Sequence, residues 1–131
     1  MTLLLQNQSE TEAFINSGVT LVGSKYAIVK LNSSELVEKN TVDTNIDVFV
    51  LQNEPAANKI AELAGTQGKN TKIQIGAAGS LAIGVELMCD ANGRVVAATT
   101  GKAVIGILLE NVAAGAAGRI AIMKIAKYFK P

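Results

Sequence analysis

Residues 84–98 read GVELMCDANGRVVAA, in which two apolar runs flank an Asn-Gly pair. Asn-Gly tolerates the positive φ angles of a tight turn, so this stretch predicts a β-hairpin with strands at 84–89 and 94–98. Further apolar runs at 103–109 and 119–125 are bounded by Gly, Thr and Asn and are also typical of strands. The C-terminal half is therefore predicted to be a unit of β-sheet.

The N-terminal half repeats this pattern at a spacing of 58 residues. VLQNEPAA at 50–57 corresponds to LLENVAAG at 108–115, and Val50 is thereby matched to Leu108. Repetition at a fixed spacing predicts related supersecondary units that bury their apolar faces on each other. We predict an all-β fold, a small β-barrel or β-sandwich. A single domain over 19–131 would contain pseudo-repeats at about 19–64 and 76–125, preceded by an N-terminal arm over 1–18.

Residues 55–64 carry two conflicting patterns. Pro55 near the start, Ile60 and Leu63 at helical spacing and Gly65 beyond the end favour a helix. The repeat instead matches 59–63 with 117–121, where a strand is predicted to begin. The repeat favours a bend followed by a strand, and the helix remains the alternative.

The composition restricts the kinds of partner. Apolar residues make up 49% of the 131 residues and charged residues only 18%, so part of the surface is expected to be covered by other chains. The net charge of +1 provides no field that would gather a nucleic acid. The sequence shows neither a signal peptide nor an apolar run of membrane-spanning length, so we expect synthesis in a cytoplasm and no membrane partner.

No catalytic, metal or cofactor site is predicted, and we expect no enzymatic activity. The chain has no histidine, the commonest general base at neutral pH. Its one cysteine, Cys89, has an apolar setting and is expected to be partly buried. A phosphate loop around Gly68-Lys69 fails, because Leu63 and Asn70 stand where Gly and Ser or Thr are needed. The carboxylates are scattered with no spacing that selects a pair: Glu54, Glu62, Glu86, Asp90 and Glu110.

Residues 76–124 resemble the capsid decoration, or cement, proteins of tailed bacteriophages. The resemblance rests on an Asp-x-x-Gly turn at 90–93, a Val-rich strand ending in Ala-Thr at 95–99, Ile-Gly-Ile at 105–107 and Ala-Ala-Gly at 113–115. It implies a small β protein on the exterior of the virion, made in the host cytoplasm, that stabilises the shell by bridging major capsid subunits. It also implies a homo-oligomer, most often a trimer, with no cofactor.

The arm supplies the predicted capsid contacts. Its apolar residues are not needed by the predicted core, and we therefore expect them to meet a partner. They are Leu3, Leu4, Leu5, Phe14 and Ile15. The alternative function is a virion-displayed module that binds a carbohydrate or the host, although few aromatic residues are available for it.

Overall fold

The structure is a computed structural model that describes residues 11, 13–76, 79–115 and 117–131. Its described residues contain ten strands and no helix, so the predicted all-β class is confirmed. The first five strands are β1 (Ala13–Asn16), β2 (Ile28–Leu31), β3 (Val37–Lys39), β4 (Phe49–Leu51) and β5 (Ile60–Ala64). The second five are β6 (Asn70–Gln74), β7 (Glu86–Cys89), β8 (Val95–Ala97), β9 (Ala103–Leu108) and β10 (Ile120–Phe129).

The chain forms two sheets of the same topology. The first sheet has the strand order β1-β5-β4-β2-β3, and the second has the order β6-β10-β9-β7-β8. Each order becomes the other when five is added to every strand number, and all the pairings within the sheets are antiparallel. The predicted pseudo-repeat is thus confirmed. We refer to residues 13–64 as the first unit and residues 70–129 as the second unit.

Each sheet curls until its first and third strands in chain order meet. Ser17, which follows β1, forms a parallel bridge with Val37 of β3, and Ile75, which follows β6, forms the same bridge with Val95 of β8. The amide of Gly18 donates to the Val37 carbonyl at 3.0 Å. Each unit is therefore a small barrel-like body with an inside, and the two bodies pack together.

The inward side chains of the two units occupy equivalent positions. In the first unit Leu21, Val29, Val37, Leu51, Ala61 and Leu63 form one buried cluster. The second unit places Leu81, Leu87, Val95, Leu108, Ala121 and Met123 at the same strand positions, and all of them are buried. Successive residues of a strand point to opposite faces, so Ile28, next to Val29, points outward. Ile28 joins Val48 and Val50 in a cluster with the second unit.

The strand registers correct the fixed spacing of 58 residues. Val50 lies opposite Ile28, whereas Ile107 lies opposite Glu86, so Val50 corresponds to Ile107 and the match to Leu108 is wrong. The connection between the third and fourth strands is one residue shorter in the second unit, and the next connection is three residues longer. Turns can change length without disturbing the sheet, because they lie at its ends.

The structure tests two predictions from the sequence, those for the residues of β1 and of β5. Residues 60–64 form β5, which confirms the strand and excludes the helix over 55–64. This strand lies between β1 and β4, and its Ala61 and Leu63 are fully buried. β1 falls inside the stretch predicted as an arm, yet it pairs with β5 along its whole length.

The units build the same turns from different residues. Tyr26, Glu35 and Asn58 have left-handed φ angles of 69°, 62° and 64°. Their equivalents in the second unit are all glycines with positive φ: Gly84, Gly93 and Gly118. A left-handed conformation costs an L-residue roughly 1–2 kcal/mol and costs glycine little. The first unit therefore carries backbone strain that the second avoids.

Substitutions at matched turn positions should separate backbone strain from crowding. We expect Glu35→Gly to raise the free energy of unfolding by about 0.5–1 kcal/mol, because strain is relieved. Gly101→Ala, at φ 83° with open space around it, should lower that free energy by about 1–2 kcal/mol. Gly93→Ala should lower it further, because its Cβ would lie 3.2 Å from the Ile28 carbonyl oxygen.

Urea denaturation of the purified variants measures these differences. A Gly93→Ala variant no less stable than Gly101→Ala would contradict the close approach of the β7–β8 turn to β2.

Candidate interaction surfaces

Two carboxylates, Asp90 and Glu110, hold connections between strands in place. Asp90 Oδ1 accepts hydrogen bonds from the amides of Asn92 at 2.8 Å and Arg94 at 3.0 Å, which fixes the Asp-x-x-Gly turn. Glu110 accepts from Arg119 Nη2 at 3.0 Å and from the Ile122 amide at 3.1 Å. Among the residues that the structure describes, no group of three or more His, Cys, Asp or Glu side chains could hold a metal.

One ionic network joins β7 to the end of the chain. Glu86 Oε1 accepts a hydrogen bond from Lys130 Nζ at 2.8 Å, and its other oxygen accepts one from the Tyr128 hydroxyl. These bonds, that of Lys130 first, hold the pKa of Glu86 below its usual value. The same carboxylate raises the pKa of Tyr128. The network ties the outer side of β7 to the end of β10, across the intervening β9.

Cys89 lies in the contact between the units. Its thiol is buried and donates a hydrogen bond to the Asn40 carbonyl at 3.2 Å. Burial raises the pKa of the thiol from its ordinary 9.0 to about 11, so it stays protonated at neutral pH. A protonated, buried thiol is a poor nucleophile, and the prediction that Cys89 is a buried packing residue is confirmed.

This pKa predicts how stability depends on pH. Below about pH 9 the thiol is protonated in the folded and unfolded chains, so it adds no pH dependence. Between about pH 9 and 11 the unfolded chain loses this proton first, and stability should fall as pH rises. Two pKa units correspond to at most about 2–3 kcal/mol. The measurement is the free energy of unfolding against pH, with Cys89→Ala as the control that lacks this extra slope. Equal slopes would contradict the burial of the thiol.

Part of the contact between the units uses a different surface from each. Elsewhere in the contact, Gln52 Nε2 donates to Thr71 Oγ1 at 3.1 Å and Lys127 Nζ donates to the Val48 carbonyl at 2.8 Å. The first unit contributes the docking edge, defined as Lys25, Tyr26, Ile28 and Asn40. The second contributes the receiving face, defined as Lys72, Gln74, Cys89 and Gly93.

Polar contacts and packing both join the docking edge to the receiving face. Gln74 Nε2 donates to the Lys25 carbonyl at 2.7 Å, and the Ile28 amide donates to the Gly93 carbonyl at 2.8 Å. Lys72 Nζ lies 5.8 Å from the centre of the Tyr26 ring.

Several large apolar side chains remain exposed. They are Phe14, Val19, Val22, Leu31, Val42, Ile60, Ile83, Ile120, Tyr128 and Phe129. Phe14 and Ile60 share the outer face of the β1–β5 pair, because Phe14 lies opposite Glu62 and Ile60 lies opposite Asn16. Diagonal neighbours of this kind are within reach of each other. Together they form an apolar patch on the first unit.

The structure separates the residues predicted to contact the capsid. Leu3, Leu4 and Leu5 lie outside the described residues. Phe14 is 65% exposed, whereas the neighbouring Ile15 is half-buried and packs against the core cluster of the first unit. Ile15 is thus used by the core, contrary to the expectation that the core does not need it. Ile60 was not singled out, although its alternation with Ala61 could have placed it outward.

Comparison with models of known protein families finds no match, and no curated protein matches the chain. The described part of the chain contains no helix long and apolar enough to cross a membrane. The surfaces above are therefore interpreted from their own geometry.

Proposed function

We propose that the protein is a structural virion protein of a tailed bacteriophage. On this proposal it binds the outer surface of the capsid and stabilises the shell by bridging major capsid subunits. The support is the resemblance of residues 76–124 to capsid decoration proteins, together with the exposed apolar surface of the described residues.

The residues that carry the resemblance build the second unit. Asp90 fixes the β7–β8 turn, and Gly93 brings that turn against β2. Gly106, in the Ile-Gly-Ile segment, has no side chain because a Cβ there would overlap the side chain of Met123. These residues serve rigidity, which a protein that clamps a lattice requires.

The observation that carries the proposal is the exposed apolar surface on this rigid body. Phe129 and Val19 are 53% and 49% exposed, although isolated soluble proteins usually keep such side chains few and scattered. Buried apolar area drives most protein association, and a standard interface covers about 1,600 Å². Contacts with several shell subunits would add to one another through avidity.

The proposed capsid contacts are Leu3, Leu4 and Leu5. They precede β1, whose pairing with β5 would anchor the arm to the body. The protein would be a homo-oligomer, and a trimer would present three arms to the shell. Binding the assembled lattice in preference to free subunits would stabilise the shell by mass action.

Purified protein mixed with capsids that lack it should co-sediment at a fixed stoichiometry and raise the melting temperature of the shell. The triple variant Leu3→Ser, Leu4→Ser, Leu5→Ser should lose co-sedimentation, because the apolar contact is removed, and keep the stability of the free protein. Val22→Ser, at a 67% exposed site on the body, is the matched control and should bind normally.

Two results would contradict the proposal in different ways. Absence of co-sedimentation by the wild-type protein, with glycan-array binding instead, would replace the capsid role by the carbohydrate-binding alternative. Retained binding by the triple variant would show that Leu3, Leu4 and Leu5 do not make the capsid contact. A truncation test must stop before Ala13, because β1 belongs to the first sheet.

A further inference from the structure

The two units pack head to tail. A two-fold arrangement would form every contact twice, once with each unit in each role. In such an arrangement, the equivalents of each contacting pair would also touch. Gly84 would contact Phe14, as Tyr26 contacts Lys72. Ala98 would contact Leu31, as Asn40 contacts Cys89. Phe14 and Leu31 are instead 65% and 40% exposed. At these positions each unit plays one role in the contact and leaves the other role unused, whereas Val48 and its equivalent Ile105 are both buried in the same cluster.

Each chain consequently carries an unused version of both surfaces. The unused receiving face, on the first unit, holds the equivalents of Lys72, Gln74, Cys89 and Gly93. They are Phe14, Asn16, Leu31 and Glu35, and all four are exposed. The unused docking edge, on the second unit, holds the equivalents of Lys25, Tyr26, Ile28 and Asn40. They are Ile83, Gly84, Glu86 and Ala98, of which the first two are exposed and the others half-buried.

The side chains of the unused surfaces complement each other in volume. Inside the chain the docking edge supplies an aromatic ring, Tyr26, and the receiving face supplies Lys72. In the unused pair the docking edge has Gly84 at this place and the receiving face has Phe14. Each contact therefore contains one aromatic ring. The ring belongs to the docking edge within the chain and to the receiving face in the unused pair.

The unused surfaces are also more apolar than the ones inside the chain. Leu31 and Ala98 are the equivalents of Cys89 and the polar Asn40, which contact each other within the chain. Ile83 is the equivalent of Lys25. Two features oppose contact. Glu86 and Glu35 would approach each other, and Glu35 has a Cβ at the place where Gly93 closely approaches the Ile28 carbonyl. Lys130 already pairs with Glu86 at 2.8 Å and offsets its charge.

We propose that a second copy of this chain covers the unused receiving face with its own unused docking edge, so that the packing seen within one chain continues between chains. The inference rests on the repeat and not on the capsid role. Head-to-tail contacts generate a ring when the rotation closes and a filament when it does not. Phe14 then contacts another copy, which leaves Leu3, Leu4 and Leu5 to the capsid.

The test uses one variant on each surface. Phe14→Asp disrupts the receiving face, and Ile83→Asp disrupts the docking edge. Sedimentation velocity should show an oligomer for the wild-type protein and a monomer for each variant alone. Mixed in equal amounts, the variants should form a dimer and nothing larger, because one intact docking edge meets one intact receiving face. Val22→Asp is the control of equal exposure and should remain oligomeric.

Circular dichroism melting of each variant establishes that its fold is retained, and Leu31→Asp provides a second variant of the receiving face. A monomeric wild-type protein would overturn the inference. So would variants that stay oligomeric, or a mixture that stays monomeric. No capsid enters the experiment, so its failure would leave capsid binding to its own test. A monomeric wild-type protein would also remove the homo-oligomer from the proposed function.

Discussion

The parallel bridge between the first and third strands of each unit is the constraint on which the rest of the structure depends. Ser17 meets Val37 in one unit, and Ile75 meets Val95 in the other. A five-stranded sheet of such short strands has two faces and two open edges, and alone it would bury little apolar surface. Closing the edges turns one face inward, so small side chains such as Ala61 and Ala121 suffice to fill it.

The outward face then becomes available for packing. Ile28, Val48 and Val50 are outside the closed cluster of the first unit, yet they are buried against the second unit. The start of β2 is thus covered on both sides, which explains the apolar pair Ile28-Val29. Closure of a unit and packing between the units are linked in this way, because side chains alternate along a strand. Inward side chains fill the closed unit, and outward side chains are available to pack against the other unit.

Much of the fold was predictable from the sequence. The Asn-Gly turn located β7 and β8, and the repeat identified β5 against the helical pattern of Ile60 and Leu63. The spacing after β8 was not predictable, since turn insertions leave no signal in an ungapped comparison. β1 was assigned to an arm because four residues in a polar context carry too little alternation to indicate a strand. Its place in the sheet depends on β5, which lies more than 40 residues away.

The candidate surface was only partly predictable. Phe14 was singled out because the core did not need it, and the structure leaves it exposed. Ile15 was singled out for the same reason and lies in the core, because adjacent strand residues face opposite sides. The unused docking edge at Ile83 and Gly84 could not be identified from sequence. This surface is defined by comparison with the contact between the two units, and only the three-dimensional structure shows which residues form that contact.

The chemistry of the two contacts differs for a physical reason. The contact within the chain joins covalently linked units, whose effective concentration is high, and it combines the buried Ile28 and Val50 with polar partners such as Gln74. A contact between separate chains must also offset the loss of translational freedom, which requires buried apolar or aromatic anchors. Phe14, Leu31 and Ile83 are side chains of that kind, and the equivalent positions within the chain hold Lys72, Cys89 and Lys25. Under the proposed assembly, the two units differ at these positions because one contact lies within the chain and the other lies between chains.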